Sequence, residues 1–275
     1  MAKIAIKKNR PPLKWAGGKY SLLEKIAKYL PEGGRLVEPF VGSGAIFLNL
    51  EYDEYYLSDI NKDLINLYKT IKNDKIDFID YAKSYFTPKF HSENSFYDLR
   101  EIFNHTTDIN EKSAILIYIN KFGFNGLMRY NSSGGMNVPY GHHKKIPSFP
   151  EKQLIHFLKK SEKAVFRNLD FRTVISRAKS DDIIYCDPPY VPISNTANFT
   201  AYSAGGFTEQ EQIDLSLLAE DMKNKNIPIL ISNHYTPATK RLYKAARKYK
   251  FPVQRMISCN GKKREIAMEI LAVYK

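Results

Sequence analysis

Apolar residues recur along this chain in two alternating periods. Leu22, Leu23, Ile26, Tyr29 and Leu30 fall at helical spacing, and Pro31, Gly33 and Gly34 end that run. A short apolar strand follows at Arg35–Glu38, then a glycine-containing turn at 42–44 and a helix-like run through Leu50. A second strand covers Tyr55–Ser58 and ends at Asp59, and Asn61 is placed to cap the next helix. Strand, glycine turn, helix, strand and acid in that order make a βαβ unit. From 61 to 121 the pattern is mostly helical, with polar breaks near 87–94 and 105–110. Residues 122–150 mix Gly, Asn, Ser and Pro with aromatic and basic residues and read as a hairpin or loop excursion. Strand-like runs resume at 164–167, 183–186, 227–231, 251–257 and 266–274, with helical runs at 170–178, 209–224 and 237–248.

That alternation predicts an α/β sheet. The last two strands are joined through Asn260 and Gly261 without room for a crossover helix, so they should pair antiparallel at a sheet edge. The sheet is therefore expected from 1–61 and 161–275, with an insertion over 62–160.

The 275 residues suit between one and two domains and are ample for a core. With 43% hydrophobic and 26% charged residues the chain reads as globular. Its longest apolar run, Ala114–Ile119, is far short of a membrane span, and the basic start lacks an apolar signal core, so a cytoplasmic protein is expected. The two cysteines, Cys186 and Cys259, sit in strand-like runs as small hydrophobes. No Cys/His cluster has zinc spacing, and no metal is expected. Charge alters the picture more: 42 Lys+Arg against 29 Asp+Glu leave +13, a balance suited to a polyanionic partner.

Three motifs carry candidate chemistry. Glu38-Pro-Phe-Val-Gly-Ser-Gly44 follows a strand and opens a helix, where glycines admit close approach of a ligand. The third position of a dinucleotide fingerprint is Phe47, and Glu38 lies where a pyrophosphate would sit, so a ligand without phosphates fits better. Asp59 suits ribose hydroxyls, and S-adenosylmethionine is the obvious candidate; a plain β–α turn is the competing reading. The second motif, Asp187-Pro188-Pro189-Tyr190, should lie at the carboxyl end of a strand. Its carboxylate and the Pro188 carbonyl suit an exocyclic amino group, and Tyr190 offers a face for stacking. The third, Lys14-Trp15-Ala-Gly-Gly-Lys19, places a glycine pair and a cation at a helix start, where a carboxylate can be received. Trp15 is the only tryptophan and could equally be core.

With Leu13–Lys19, the glycine turn, Asn120–Tyr140, Asp187–Tyr190 and Thr196–Tyr202 in this order, the chain closely resembles the Dam family of DNA adenine methyltransferases, in the alpha group of amino-methyltransferases. The resemblance implies a Rossmann-like S-adenosylmethionine-dependent sheet with an inserted, mainly helical target-recognition domain containing a β-hairpin. It implies a monomer that binds double-stranded DNA, flips an adenine and methylates its N6, with GATC as target and S-adenosylhomocysteine as product. Trp15, Lys19, Asp59 and Asp187 would touch the cofactor, and Phe40, Gly42 and Gly44 would shape its methionine pocket. Asp187 and Pro188 would hold the adenine amino group and Tyr190 would stack on the base. In the insertion, Arg129 would read guanine, Asn125 base edges or the gap left by flipping, Pro139 a thymine methyl, Phe124 would intercalate or stack as the adenine leaves, and Leu127 would also lie at the DNA. Lys14 would reach a guanine beside the target, and His143, Lys144 and Lys145 would face phosphates. After Gly141 this chain has His142-His143 where many relatives carry Arg-Tyr, which makes pH-sensitive binding an expectation. The segment 191–206 should order around bound DNA. Methylation of cytosine N4 or RNA adenine, and a catalytically silent DNA-binding module, are the alternatives. A silent binder would not need Asp187, Tyr190 and the glycine turn together.

Overall fold

A computed structural model describes residues 3–4, 8–191, 206–254 and 266–275, the first two by backbone alone. The Asn260–Gly261 loop, Cys259 and nearly all of 191–206 lie outside the described residues. In chain order the elements are β1 (Lys3–Ile4), α1 (Leu23–Ala27), β2 (Arg35–Glu38), β3 (Leu50–Glu51), β4 (Glu54–Ser58) and α2 (Lys62–Lys83). Next come α3 (Glu93–His105), α4 (Ile109–Phe122), α5 (Glu151–Ser161), β5 (Ala164–Arg167), α6 (Phe171–Ser176) and β6 (Asp182–Cys186). The chain continues with α7 (Glu209–Asn224), β7 (Ile229–His234), α8 (Pro237–Leu242), β8 (Arg247–Gln254) and β9 (Ile266–Tyr274).

Seven of these strands form one sheet among the described residues, in the order β5-β4-β2-β6-β7-β9-β8. The first five are parallel, and β9 runs antiparallel between β7 and β8. The expected antiparallel edge is therefore present, with β8 outermost. Strand order reverses between β2 and β6, which lie side by side with Val37 opposite Ile184. Ligands of open α/β sheets settle outside the carboxyl ends of strands at such a switch point. Glu38 and Asp187, at the ends of these two strands, are thereby brought together.

Alternate strand residues feed two separate cores. Leu36, Tyr185 and Leu271 join the larger one, under α1, α2, α4 and α5. Val37, Ile184, Cys186 and Ala272 join the other, under α6, α7 and α8. A sheet covered on both faces needs apolar residues on both, hence the near-continuous apolar runs in sequence. The larger cluster runs unbroken from the sheet into Phe96, Ile115 and Phe122 of the segment 62–160.

Several helix boundaries follow from caps. Asn61 accepts from the Leu64 N–H at 3.0 Å, as expected. Asp170 caps α6, and Thr208 and Glu211 form a reciprocal capping box at α7.

Three expectations need correction. The run after the glycine turn is not a regular helix. It is a short coil with single turns closed by the Leu48 N–H on the Gly44 carbonyl and the Leu50 N–H on that of Ile46. The Asn49 amide takes the Ala45 and Asn9 carbonyls, and Leu50 is drawn into pairing with β1. Helix α8 stops at Leu242 rather than near 248, because Arg247–Lys250 pair with β9. There the tertiary ladder overrides local helix propensity, and the Lys248 ammonium binds the carbonyls of Tyr243 and Ala246. In 122–150 no regular hairpin ladder forms; isolated antiparallel bridges join Gly123 to Tyr140 and Tyr130 to Met136.

At the amino end of β2 and β6, Arg35 donates to both carboxylate oxygens of Asp182, at 2.7 and 2.8 Å. Asp182 is 2% exposed, so its charge depends on this fork and on the Lys179 N–H. Arg35→Met should cost about 3 kcal/mol, since it strands a buried carboxylate. Urea unfolding with an unchanged m-value would read this; a loss below about 0.5 kcal/mol would show that the pair does not hold the two strands.

Candidate active site

The site grows from the two strand ends at the switch point. The β2 strand ends at Glu38, which is buried, and one of its carboxyl oxygens has no hydrogen-bond partner. Burial pushes this carboxyl well above the usual carboxylate range; the Phe47 backbone N–H offsets part of the effect, and the Asp187 charge adds to it. The turn beyond needs φ of +47° at Gly42 and +73° at Gly44, conformations that favour glycine. A side chain at Gly42 would also press on Trp15, its Cβ 3.0 Å from the indole Nε1. Trp15 thus lies half-buried over the turn. The Gly42 N–H donates to Asp59 at 3.0 Å, and the Tyr68 hydroxyl donates to the Gly42 carbonyl. Asp59 also accepts from the Asn61 N–H. Burial raises its carboxyl above the usual range, and these backbone donors oppose the rise. Phe40 stacks with Phe171, centroids 5.3 Å apart, and meets Phe207 edge-on.

The β6 strand delivers Asp187. The Lys19 ammonium lies 2.9 Å from its Oδ1, although that oxygen receives no well-aligned hydrogen bond. Lys19 is only 4% exposed and also donates to the Gly17 carbonyl. Burial pushes the Asp187 carboxyl up to about 6 against the pull of Lys19. The same ammonium sits 4.6 Å from the centroid of the Tyr190 ring. The Tyr190 hydroxyl donates to Glu269 of β9 at 2.9 Å, and its ring meets that of His234 edge-on. Pro188 is buried.

A buried amide relay fixes the turn from behind. Gln212 of α7 donates to the Pro189 carbonyl at 2.8 Å. Asn233 donates to Gln212 and accepts from the Val191 N–H. Tyr243 shares the relay through its hydroxyl.

The residues expected at DNA gather on a second surface. Lys14 is exposed, but its backbone is gripped by Asn120, whose amide oxygen accepts from the Lys14 N–H and whose amide nitrogen donates to the Lys14 carbonyl, each at 2.8 Å. The Asn120 amide also donates to the Gly126 carbonyl. Beside it, burial and then the Lys14 charge lower the Lys121 ammonium to about 8. Phe124, Asn125 and Arg129 are exposed, and Leu127 and Pro139 are half-buried. The Phe124 N–H donates to the Pro139 carbonyl, closing the two arms of the loop. Arg129 already donates to the Asn137 side chain and carbonyl, so its fork is pre-oriented. Lys144 and Lys145 are exposed. The Nε2 of His143 is buried instead, and burial followed by the Lys14 charge holds the imidazole below its ordinary value.

Reading the chain missed Glu269, Gln212, Asn233, Tyr243, Asn120 and Lys121. Asn120 and Lys121 fall in the Asn120–Tyr140 motif without a role of their own, and Glu269 left a signal as the one acid in the apolar run Ile266–Tyr274. No group of three or more metal-binding side chains occurs among the described residues, and no described helix is long and apolar enough to cross a membrane.

A glycine cradle and a carboxylate turn meeting at the switch point of a parallel sheet are the arrangement of a nucleotide-handling α/β enzyme. This chain belongs to the D12 class N6 adenine-specific DNA methyltransferases, whose family profile matches residues 15–257. It is 47% identical to a DNA adenine methylase of Vibrio cholerae serotype O1 over 270 residues, covering 98% of this chain and 97% of that one. It is 45% identical to the DNA adenine methylase of Escherichia coli K12 with the same coverage. It is also 45% identical to that of Serratia marcescens, over 98% of this chain and all of the other. A solved precorrin 8w decarboxylase from Methanobacterium thermoautotrophicum overlays with a TM-score of 0.39 and 9% identity over 97% of this chain and 95% of that one, a likeness too weak to carry an argument.

Gly42→Ala should cost about 1–2 kcal/mol from the left-handed backbone alone. It should also shift the emission of Trp15, the sole tryptophan. Unchanged emission would separate the indole from the glycine turn.

Proposed function

We propose that the protein transfers a methyl group from S-adenosylmethionine to the N6 of an adenine flipped out of duplex DNA, with GATC as its target. The observation that carries this reading is Asp187: a carboxylate on a rigid Pro-Pro turn, beside a buried cation, next to the glycine cradle.

The residues present fit the cofactor. Glu38 keeps a buried oxygen without a partner, and Asp59 has lone pairs beyond those its backbone donors use. Trp15, Lys19, Phe40, Gly42, Gly44 and Asp59 would hold it, and Glu38 joins them as a candidate for its ammonium group. When bound it supplies the electrophilic methyl group and leaves as S-adenosylhomocysteine. Asp187 and the Pro188 carbonyl accept hydrogen bonds from the two N6–H groups and so direct the nitrogen lone pair; the one proton that N6 loses on gaining the methyl group passes by way of Asp187 to water. This is catalysis by positioning and electrostatics, without a covalent nucleophile. Lys19 keeps Asp187 ionised for that task, and Glu269 sets the angle of the Tyr190 ring for stacking on the base.

The segment 62–160 serves as the target-recognition domain, fused to 1–61 and 161–275 through the shared core rather than hinged. Arg129 reads guanine, Asn125, Phe124 and Leu127 occupy the space the adenine leaves, and Pro139 meets a thymine methyl. Lys14 reads a second guanine, and Lys144 and Lys145 hold phosphates. His143 contributes through the shape of its loop, because its half-buried imidazole, with Nε2 out of solvent, is held below its ordinary value and so favours the neutral form.

Labelled S-adenosylmethionine with one GATC duplex and one scrambled duplex tests the reading. N6-methyladenine should form in the first only; label in both would remove the sequence preference, and label in neither would sink the activity. Asp187→Ala should lower kcat at least ~100-fold with DNA affinity largely kept. The pH profile follows from Asp187. Its raised carboxyl protonates as pH falls through about 6 and stops accepting, so kcat/KM should drop about ten-fold per pH unit below that point. For stability the sign is opposite: the protonated form favours the fold at low pH, and this contribution fades as pH rises through about 6. An acid limb centred near 4 would refute the assignment.

A further inference from the structure

The stretch from Pro237 to Gln254 holds six basic residues, Lys240, Arg241, Lys244, Arg247, Lys248 and Lys250, and no acid. All six are exposed, and none forms an ion pair among the described residues. Lys248 is spent on backbone carbonyls and Arg247 lies over Tyr249, but two of the six share one ring. The ammonium groups of Lys240, on α8, and Lys250, on β8, each lie 5.4 Å from the centroid of the Tyr235 ring. One half-buried ring thus gathers two cations from separate elements, against their mutual repulsion. A surface that only needed solubility would spread them apart.

The position of this cluster gives it a use. Tyr235 follows His234, whose ring meets Tyr190 at 4.8 Å. The Tyr235 N–H donates to the Met268 carbonyl at 2.8 Å, one residue before the Glu269 that holds the Tyr190 hydroxyl. The cluster therefore lies on the carboxyl edge of the sheet, on the β7–β9 side of the catalytic turn. The recognition residues of 120–145 belong to a different part of the chain.

We propose that Lys240, Tyr235 and Lys250 form a phosphate clamp for the DNA backbone flanking the target base, separate from the recognition segment. The inference rests on the reading of the protein as a DNA methyltransferase. Two cations held on one ring can meet nearby phosphates of a single strand, and Tyr235 keeps both heads in place while the strand passes. The clamp carries no sequence information. It adds affinity and steadies the strand from which the adenine is extruded.

The test compares the wild-type protein with Lys240→Ala/Lys250→Ala, the charge-preserving Lys240→Arg/Lys250→Arg, and a control, Arg177→Ala/Lys179→Ala, on exposed positions just before β6, at the opposite end of the sheet strands. Binding to a fixed GATC duplex is titrated at several salt concentrations. The clamp variant should raise Kd about ten-fold near physiological salt and reduce the slope of log Kd against log salt by about two, one per lost phosphate contact. Its kcat at saturating DNA, its affinity for S-adenosylhomocysteine and its preference for GATC over a scrambled duplex should stay unchanged. The arginine pair should restore Kd and slope, and the control pair should behave as wild type. A wild-type enzyme that methylates DNA while the clamp variant keeps its Kd and slope overturns the clamp alone. An equal effect from the control pair also overturns it, reducing it to net charge. A wild-type protein that methylates no duplex overturns the functional reading and the clamp together.

Discussion

A buried ammonium ties the site together. Lys19 comes from the stretch that precedes α1, yet its charge ends beside Asp187 at the tip of β6 and over the ring of Tyr190. A cation so nearly removed from water is tolerable only with a carboxylate and a carbonyl close by. Residues about 170 positions apart are thereby held to one another. The same ammonium restrains how far burial can raise the Asp187 carboxyl, so one contact serves both the fold and the chemistry. Everything around it acts as support: Glu269 on the Tyr190 hydroxyl, and Gln212, Asn233 and Tyr243 behind the prolines.

Two kinds of residue were legible from the chain, for different reasons. Strands β2, β5 and β9 and helix α7 show their limits because burial on one or both faces, or a cap at the start, leaves a local mark. Asp187, Tyr190 and the glycine turn are visible because prolines and left-handed glycines are rare and positional. What the sequence hides is pairing at a distance. The strand character of Arg247–Lys250 comes from β9, and no local pattern in those basic residues announces it. Asn120 looks like any polar residue in a helix until its amide is seen bridging both backbone groups of Lys14. Gln212 and Asn233 likewise gain meaning only from the turn they brace.

The recognition loop follows a different rule from the catalytic edge. Its backbone is held by a few bridges and by Asn120, while Phe124, Asn125 and Arg129, the side chains proposed to meet the bases, are exposed. A rigid frame with exposed tips suits a surface that must meet base edges whose positions are set by the nucleic acid. The edge at the switch point is built the other way: Gln212, Asn233 and Tyr243 brace its turn from behind, while one oxygen of Glu38 and Oδ1 of Asp187 stay buried without a well-aligned donor.

The placement of β9 bears on how the molecule is made. This strand is the last of the sheet in chain order, yet it lies inside it, between β7 and β8, and it supplies Glu269. On a ribosome, β7 emerges with an open edge, and β8 has nothing to pair with until β9 follows. A nascent chain therefore holds the glycine turn, Lys19 and Asp187 well before it holds a finished sheet. Tyr190 receives the anchor for its hydroxyl only when that final strand is threaded into place, so the Asp187–Tyr190 turn is the last part of the proposed site to be braced.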